Sequence, residues 1–280
     1  MTIAVLTHKP SSYSSIRLIE EAGNLGVPCE LVSFRDTALY IKKGGIGLKL
    51  FKGVGVKAVF SRPKTLLSPL MLYALSLTKS LEEEGIYVLN PFEGFLNTLD
   101  KVVTYRNLCL KNLPVPDSIA SASWRRLAEM PPPFFLKPVY GSRGRGVKLV
   151  ENVEEKPIVE GYGAWIVQSS AKEDNWDLRI LVLGDQVLAA IKRVSDKPVT
   201  NISRGAAGEV FEADKEVETL AVKASRVLNC QFAGVDISFQ KGEAFILDVN
   251  PQPDFIGVEK TMGINVAREV IKYMVSATGD

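Results

Sequence analysis

Three oxygen-bearing side chains near the C-terminus carry the first chemical signal. Asp236 closes Gly234-Val-Asp236, and Asp248-Val-Asn250 follows on the next apolar run. Alternate side chains leave a strand on the same face, so Asp248 and Asn250 face one way together, with Asp236 on the neighbouring strand. Two carboxylates and an amide oxygen suit a hard cation such as magnesium, with phosphates and water completing an octahedron. Such residues, taken singly, are more often strand-end turns bonding the local backbone. Asp248, however, sits inside Phe245-Ile-Leu-Asp-Val, where an unpaired buried carboxylate is costly, and a metal is the simpler account.

A glycine-rich stretch is the second signal. Phe134-Phe-Leu-Lys-Pro138 reads as a strand and runs into Gly141-Ser-Arg-Gly-Arg-Gly146. Backbone amides freed by glycine can approach phosphates, and Lys137 would add a point charge. The stretch lacks the Lys-Ser/Thr ending of a P-loop and joins two strands rather than opening a helix, so it is neither that loop nor a dinucleotide fingerprint. The third signal is a set of arginines: Asp177-x-Arg179, Arg193, and Asn201-x-x-Arg204-Gly205. Forked guanidinium donors suit carboxylates and phosphates and can offset charge that develops in a transition state. Each alone reads as a surface ion pair; their grouping beside a metal motif raises them.

Composition narrows the chemistry. The 280 residues contain one histidine, His8, which excludes a zinc site built on several imidazoles. Three scattered cysteines, Cys29, Cys109 and Cys230, show neither metal spacing nor a disulfide framework, which fits a reducing, cytoplasmic setting. Lys+Arg 34 against Asp+Glu 32 excludes affinity by an overwhelming positive field, so no nucleic-acid partner is expected. The opening Met1-Thr-Ile-Ala-Val-Leu has no basic stretch before its apolar run and reads as a strand rather than a signal peptide. No run is long enough to span a bilayer.

The elements that must hold these groups divide the chain. Ile3–Thr7, Pro28–Phe34, Ala58–Ser61 and Ile86–Leu89 are predicted strands, spaced by predicted helices at Ser14–Leu25 and Pro69–Glu84. That alternation implies a parallel, doubly wound sheet, whose ligands gather at the carboxyl ends of strands, here His8 through Arg17 and Ser61-Arg62-Pro63. The segment from Ile41 to Gly55 reads as a surface excursion, and the apolar helix from Pro69 as either core or a subunit contact. A helix is expected over Phe92–Asn112, then strands at Val147–Val150, Trp165–Gln168, Leu178–Leu183 and Gln186–Arg193. A helix at Val217–Leu228, strands at Gly234–Phe239 and Ala244–Val249, and a closing helix at Asn265–Val275 complete an antiparallel α+β region.

The ordered series Asp100-Lys101, Leu113-Pro-Val-Pro116, Leu136-Lys-Pro-x-x-Gly-Ser-x-Gly-x-Gly146, Val167-Gln168, Asp177-x-Arg179, Arg193, Asn201-x-x-Arg204-Gly205, Gly234-Val-Asp236 and Asp248-Val-Asn250 resembles the ATP-grasp superfamily. Within it, Tyr13-Ser-Ser-Ile-Arg17-Leu, Arg62-Pro63 and Gly257-Val-Glu-Lys-Thr-x-Gly263 look most like the RimK-type carboxylate–amine ligases. The resemblance implies an ATP-grasp fold of α/β and α+β parts: an N-terminal parallel lobe at 1–91, a central lobe at 92–166, and a C-terminal lobe at 167–280, the last two enclosing the nucleotide. It implies ATP and Mg2+ as cofactors, with Mn2+ as a substitute. Lys101, Lys137, Asp177 and the loop of Gly141, Ser142, Arg143, Gly144 and Gly146 would serve the nucleotide, with Gln168, Ser169 and Ser170 at its adenine. Asp236, Asp248 and Asn250 would hold the metal, Arg179 and Arg193 would be catalytic, and Arg17, Arg62, Asn201 and Arg204 would bind substrate, with His8 in a loop near the acceptor.

The implied activity is an ATP-dependent amide ligation through an acyl phosphate, adding an amino acid, glutamate above all, to a carboxylate acceptor. That acceptor is a small molecule, a cofactor tail or a protein terminus, and the enzyme is expected to be a homo-oligomer off the membrane. The alternatives are a LysX-type ligase working on an acidic carrier protein, and a non-catalytic ATP-binding module. Three departures from the family pattern stand out: Ser169-Ser170 in place of an acidic–aromatic pair, Asp248 in place of glutamate, and Pro251-Gln-Pro-Asp-Phe255 in place of Ser-Pro-Gly-Leu.

Overall fold

Residues 1–49, 55–63, 68–141, 145–154, 163–170, 175–195 and 207–279 are described by the structure, a computed structural model. The chain opens with β1 (Thr2–Thr7), α1 (Tyr13–Asn24), β2 (Cys29–Ser33), the hairpin β3 (Ala38–Lys42) and β4 (Gly45–Lys49), β5 (Val56–Arg62), α2 (Pro69–Glu83) and β6 (Tyr87–Leu89). The sheet is parallel, in the order β2-β1-β5-β6. Ile3 through Leu6 are all fully buried, as the unbroken apolar run requires of a strand covered on both faces. Ala4 and Leu6 enter a core with Phe34, Leu77 and Leu81, whereas Ile3 and Val5 enter one shared with Leu181, Phe232 and Ile271. The first sheet thus packs directly on the last one. Ser68 caps α2 by accepting from the Met71 amide, ahead of Pro69 in the first turn. Seven of the fifteen residues of α2 are buried, Leu77 and Leu81 among them, and the described part of the expected surface excursion lies in the β3–β4 hairpin, with Ile41 exposed.

The predicted helix over Phe92–Asn112 is two helices, α3 (Phe92–Leu99) and α4 (Lys101–Cys109). Asp100 breaks it: its backbone is extended and its carboxylate accepts from the Val103 amide at 2.8 Å, capping α4. Phe95 on α3 packs with Met71 and Leu75 of α2, and Leu108 on α4 enters the core of the last sheet.

The central sheet is small and antiparallel. It comprises β7 (Ser118–Ser121), β8 (Phe134–Pro138), β9 (Lys148–Val150) and β10 (Trp165–Ser169), in the order β7-β10-β8-β9, with the short α5 (Trp124–Leu127) beside it. Phe134, Leu136, Val150, Val167 and Leu127 form its own core. β10 runs through Ser169, past the boundary expected at 166, because Gln168 and Ser169 still pair with Phe135 and Phe134.

The last sheet is antiparallel, in the order β13-β12-β11-β14-β15, from β11 (Trp176–Leu183), β12 (Gln186–Val194), β13 (Ala207–Val210), β14 (Phe232–Gln240) and β15 (Glu243–Asn250). It is flanked by α6 (Lys215–Val227), α7 (Ile256–Met262) and α8 (Val266–Ser276). Lys241 and Gly242 both have positive φ, which suits the tight hairpin between β14 and β15.

One side chain fastens the first sheet to the last. Asn90, fully buried after β6, accepts from the Phe232 amide at 2.7 Å and donates to the carbonyls of Phe232 at 2.6 Å and Pro251 at 2.5 Å. An alanine at 90 leaves three backbone groups without these partners, and we expect a loss of about 2 kcal/mol, read as a lower urea midpoint at unchanged slope.

Candidate active site

The site is assembled across adjacent strands of the last sheet. Cross-strand register sets Asp177 opposite Arg193, Arg179 opposite Asp236, and Asp236 opposite Asp248. Arg193 donates from Nε to Asp177 at 2.7 Å, and its Nη2 lies 3.0 Å from Asp236, which Arg179 Nε also approaches at 3.0 Å. Burial pushes the Asp236 carboxyl pKa up, while the two guanidinium groups pull it back. Burial likewise lowers the Arg179 pKa; at Arg193 the same effect is overcome by Asp236 and Asp177, which raise it. Arg179 also donates to the Gly234 carbonyl, and a Cβ at Gly234 would run into the same guanidinium. That close approach explains the glycine.

Asp248 differs from Asp236 in being open to solvent, its side chain 45% exposed, with Lys101 Nζ at 3.9 Å. Its aim depends on an irregularity: Asp236 pairs with Asp248 but Ile237 pairs with Ile246, so Leu247 is an extra residue in the strand. The Leu247 carbonyl is taken by the Tyr105 hydroxyl at 2.7 Å. Burial first, then Asp248, raises the Tyr105 pKa, and a hydrogen bond with the Gln168 side chain lowers it. Gln168 in turn accepts from Lys137. Lys137 and Gln168 on the central sheet thus stand beside Tyr105, which reaches the strand bearing Asp248 through the Leu247 carbonyl.

Several expected residues converge here: Lys101, Lys137, Gln168, Asp177, Arg179, Arg193, Asp236, Asp248 and Asn250. Lys101 also donates to the Gly141 carbonyl at 3.4 Å, linking α4 to the start of the glycine-rich stretch, where Gly146 has positive φ. Ser169 and Ser170 lie at the end of β10, the Ser169 amide bonded to the Asp117 carbonyl. Asn250 Oδ1 accepts from the Gln252 amide at 2.9 Å. Ser142, Arg143, Gly144, Asn201 and Arg204 lie outside the described residues.

Two expectations meet an unexpected environment. Arg193, expected to be catalytic, is 4% exposed with two carboxylates upon it, so it holds the acids in place from beneath. Arg17, also expected at the substrate, contacts Glu20, Glu21, Glu259 and Asn265, fastening α1 to α7 and to the start of α8. Arg62 lies instead at the end of β5, nearly enclosed, with the Phe60 ring 5.1 Å beneath its guanidinium and its carbonyl 3.4 Å from His8 Nδ1. Tyr105 was not foreseen, and nothing in the sequence distinguishes it from a core aromatic; its role follows from the irregularity at Leu247.

The donor set fits a hard cation. Asp236 Oδ1 lies within ion-pair distance of both arginines yet makes no aligned hydrogen bond, and Asp248 is uncommitted apart from the distant Lys101. Among the described residues no cluster of three or more His, Cys, Asp or Glu forms a metal cage, so any ion must draw further ligands from elsewhere.

The RimK-like ATP-grasp domain family matches residues 120–274, more than half of the chain. The chain belongs to the RimK-like ATP-grasp family. A probable alpha-L-glutamate ligase of Xanthomonas euvesicatoria pv. vesicatoria (strain 85-10) is 30% identical over 98% of this chain and 97% of its own. The solved ATP-grasp ligase PsnB, complexed with a minimal precursor, superposes with a TM-score of 0.79 at 19% identity, covering 99% of each chain. D-alanine–D-alanine ligase from Bacillus anthracis, complexed with ATP, gives 0.69 at 16% identity, covering 99% of this chain and 96% of that one. This RimK-like protein is an ATP-dependent carboxylate–amine ligase. Among its described residues no helix is long and apolar enough to cross a membrane.

Proposed function

We propose that this ligase adds L-glutamate to a carboxylate-bearing acceptor through an acyl phosphate, with ATP held between the central and last sheets. The observation that carries the proposal is the convergence of Lys101, Arg179, Asp236 and Asp248 at neighbouring positions of β11, β14, β15 and α4. The glutamate ligase name of the 30% identical relative supports the choice of amino acid. PsnB, solved with a precursor peptide, supports an acceptor as large as a polypeptide.

Each group then has a task. Lys101 and Lys137 neutralise phosphate oxygens, and Gln168 with the Ser169 and Ser170 backbone lines the adenine side. The stretch from Gly141 to Gly146, with Ser142, Arg143 and Gly144, would serve the phosphates. Asp236, Asp248 and Asn250 would hold magnesium, which supplies charge neutralisation at the β- and γ-phosphates when bound. Arg179 faces the γ-phosphate as the acceptor carboxylate attacks it and then the oxygen of the tetrahedral adduct formed by the amine. Arg193 and Asp177 keep Arg179 and Asp236 in register, so catalysis rests on positioning and electrostatics. Asn201 and Arg204 complete the substrate side.

Incubating the protein with ATP, magnesium, L-glutamate and a panel of carboxylate acceptors should release ADP with at least one acceptor, measured by a coupled assay. ATP binding without acceptor-dependent ADP from any panel member would overturn the proposal in favour of a non-catalytic module.

A further inference from the structure

Asp248 owes its direction to an irregularity in its own strand. In a regular strand, residues three apart leave opposite faces. Ile246 and Val249 are three apart, yet both are buried in one core, with Val235 and Ile237 of β14. The extra residue at Leu247 reconciles them, because it reverses the face of every residue that follows. Asp248 is thereby turned out of that core and set opposite Asp236. Without the bulge it would share a face with Ile246.

The bulge lies on an edge strand, since β15 ends the order β13-β12-β11-β14-β15. A bulge leaves its extra residue out of the ladder, and an edge strand has no second neighbour to steady it. Here α4 and the segment after it close that edge. The Tyr105 hydroxyl donates to the Leu247 carbonyl at 2.7 Å, and the Ile246 amide donates to the Pro114 carbonyl at 2.9 Å. Tyr105 is only 5% exposed, so water is a poor substitute for its hydroxyl. Lys101 and Tyr105 stand one turn apart on α4, and Lys101 Nζ lies 3.9 Å from Asp248. One helix therefore carries both the cation beside Asp248 and the donor on the backbone next to it. Packing alone would be met by a phenylalanine; the hydroxyl is what reaches the strand.

We infer that Tyr105 is a positioning residue for the metal site: its hydroxyl fixes the Leu247 bulge, and the bulge aims Asp248 beside Asp236. It acts through the backbone of β15 rather than by its own contact with the ion. The inference rests on the proposed role of Asp248 as a metal ligand.

The test is titration of manganese into the full chain saturated with a non-hydrolysable ATP analogue, the bound ion followed by water-proton relaxation, beside a urea unfolding curve. Tyr105→Phe keeps the ring and removes only the hydroxyl. It should weaken manganese binding about tenfold, as loss of a group that orients a metal ligand does. Ser225→Ala removes another buried hydroxyl, one that donates to the Cys230 carbonyl. It should lower the urea midpoint and leave manganese affinity within about twofold of wild type. Asp248→Ala should itself weaken manganese, and adding Tyr105→Phe to it should cost no further affinity, because the hydroxyl acts through Asp248. Tyr105→Phe within twofold of wild type, an equal loss in Ser225→Ala, or a tenfold loss that persists on the Asp248→Ala background would each overturn the role of Tyr105 and leave the metal site standing. Wild type without bound manganese, or Asp248→Ala binding it as tightly as wild type, would overturn the metal site and the role of Tyr105 together.

Discussion

Replacing Asp248 with alanine is expected to abolish ADP release while leaving the protein folded. Its carboxylate is nearly half exposed and, among the described residues, has Lys101 at 3.9 Å as its ion-pair partner, so its removal breaks no buried ion pair there. Stability should move by less than about 0.5 kcal/mol, as for other surface substitutions. The chemistry should move far more. Asp248 is the open carboxylate of the oxygen-donor set, and without it the phosphates lose the charge that neutralises them. A fall in turnover of at least about a hundredfold is expected, measured as acceptor-dependent ADP release beside a thermal melt. Turnover near the wild-type level would remove Asp248 from the metal site and the proposed function with it.

Replacing Arg193 with alanine is expected to do the reverse, acting first on the fold. Arg193 is enclosed between Asp177 and Asp236, and both acids are buried with it. Taking the cation away removes the guanidinium that the two buried carboxylates share, while Arg179 stays on Asp236. Breaking a buried ion pair from one side costs about 3–5 kcal/mol, most of it the penalty on the charge left behind. Urea denaturation should show this as a drop in midpoint, and the protein should regain part of it when pH falls enough to protonate the acids. A loss under about 1 kcal/mol would mean that water reaches the cluster and that Arg193 is free to meet substrate. Together the two substitutions separate the residue proposed to hold the metal from the one beneath it, although both belong to the same sheet.

Much of the site was legible because strands and loops keep their chemistry local. Asp248-x-Asn250 share a face by strand periodicity, and Gly141 to Gly146 follow a strand by composition alone. The alternation of apolar runs and helices over the first ninety residues foretold a parallel sheet. Less legible were elements with weak patterns. β7 is Ser-Ile-Ala-Ser, four residues with no apolar periodicity, and only its pairing with β10 makes it a strand. The helix break at Asp100 was hidden because Asp is tolerated within helices, while its capping geometry exists only once the chain has turned.

The amino-acid sequence by itself determined the chemical repertoire: one histidine, a glycine-rich stretch, and an ordered set of lysines, arginines and oxygen donors of the kind that suits phosphoryl transfer to a carboxylate. Tertiary structure decided which of those charges are spent on each other. Arg17 is drawn into Glu21 and Glu259, and Arg193 into Asp177 and Asp236, whereas Asp248 stays open and Arg62 stays unpaired. The physical reason is that a charge's role depends on its distance from opposite charges and from water. Both are set by strand register and by the packing of one sheet on another, contacts between residues as far apart in the chain as Asn90 and Phe232.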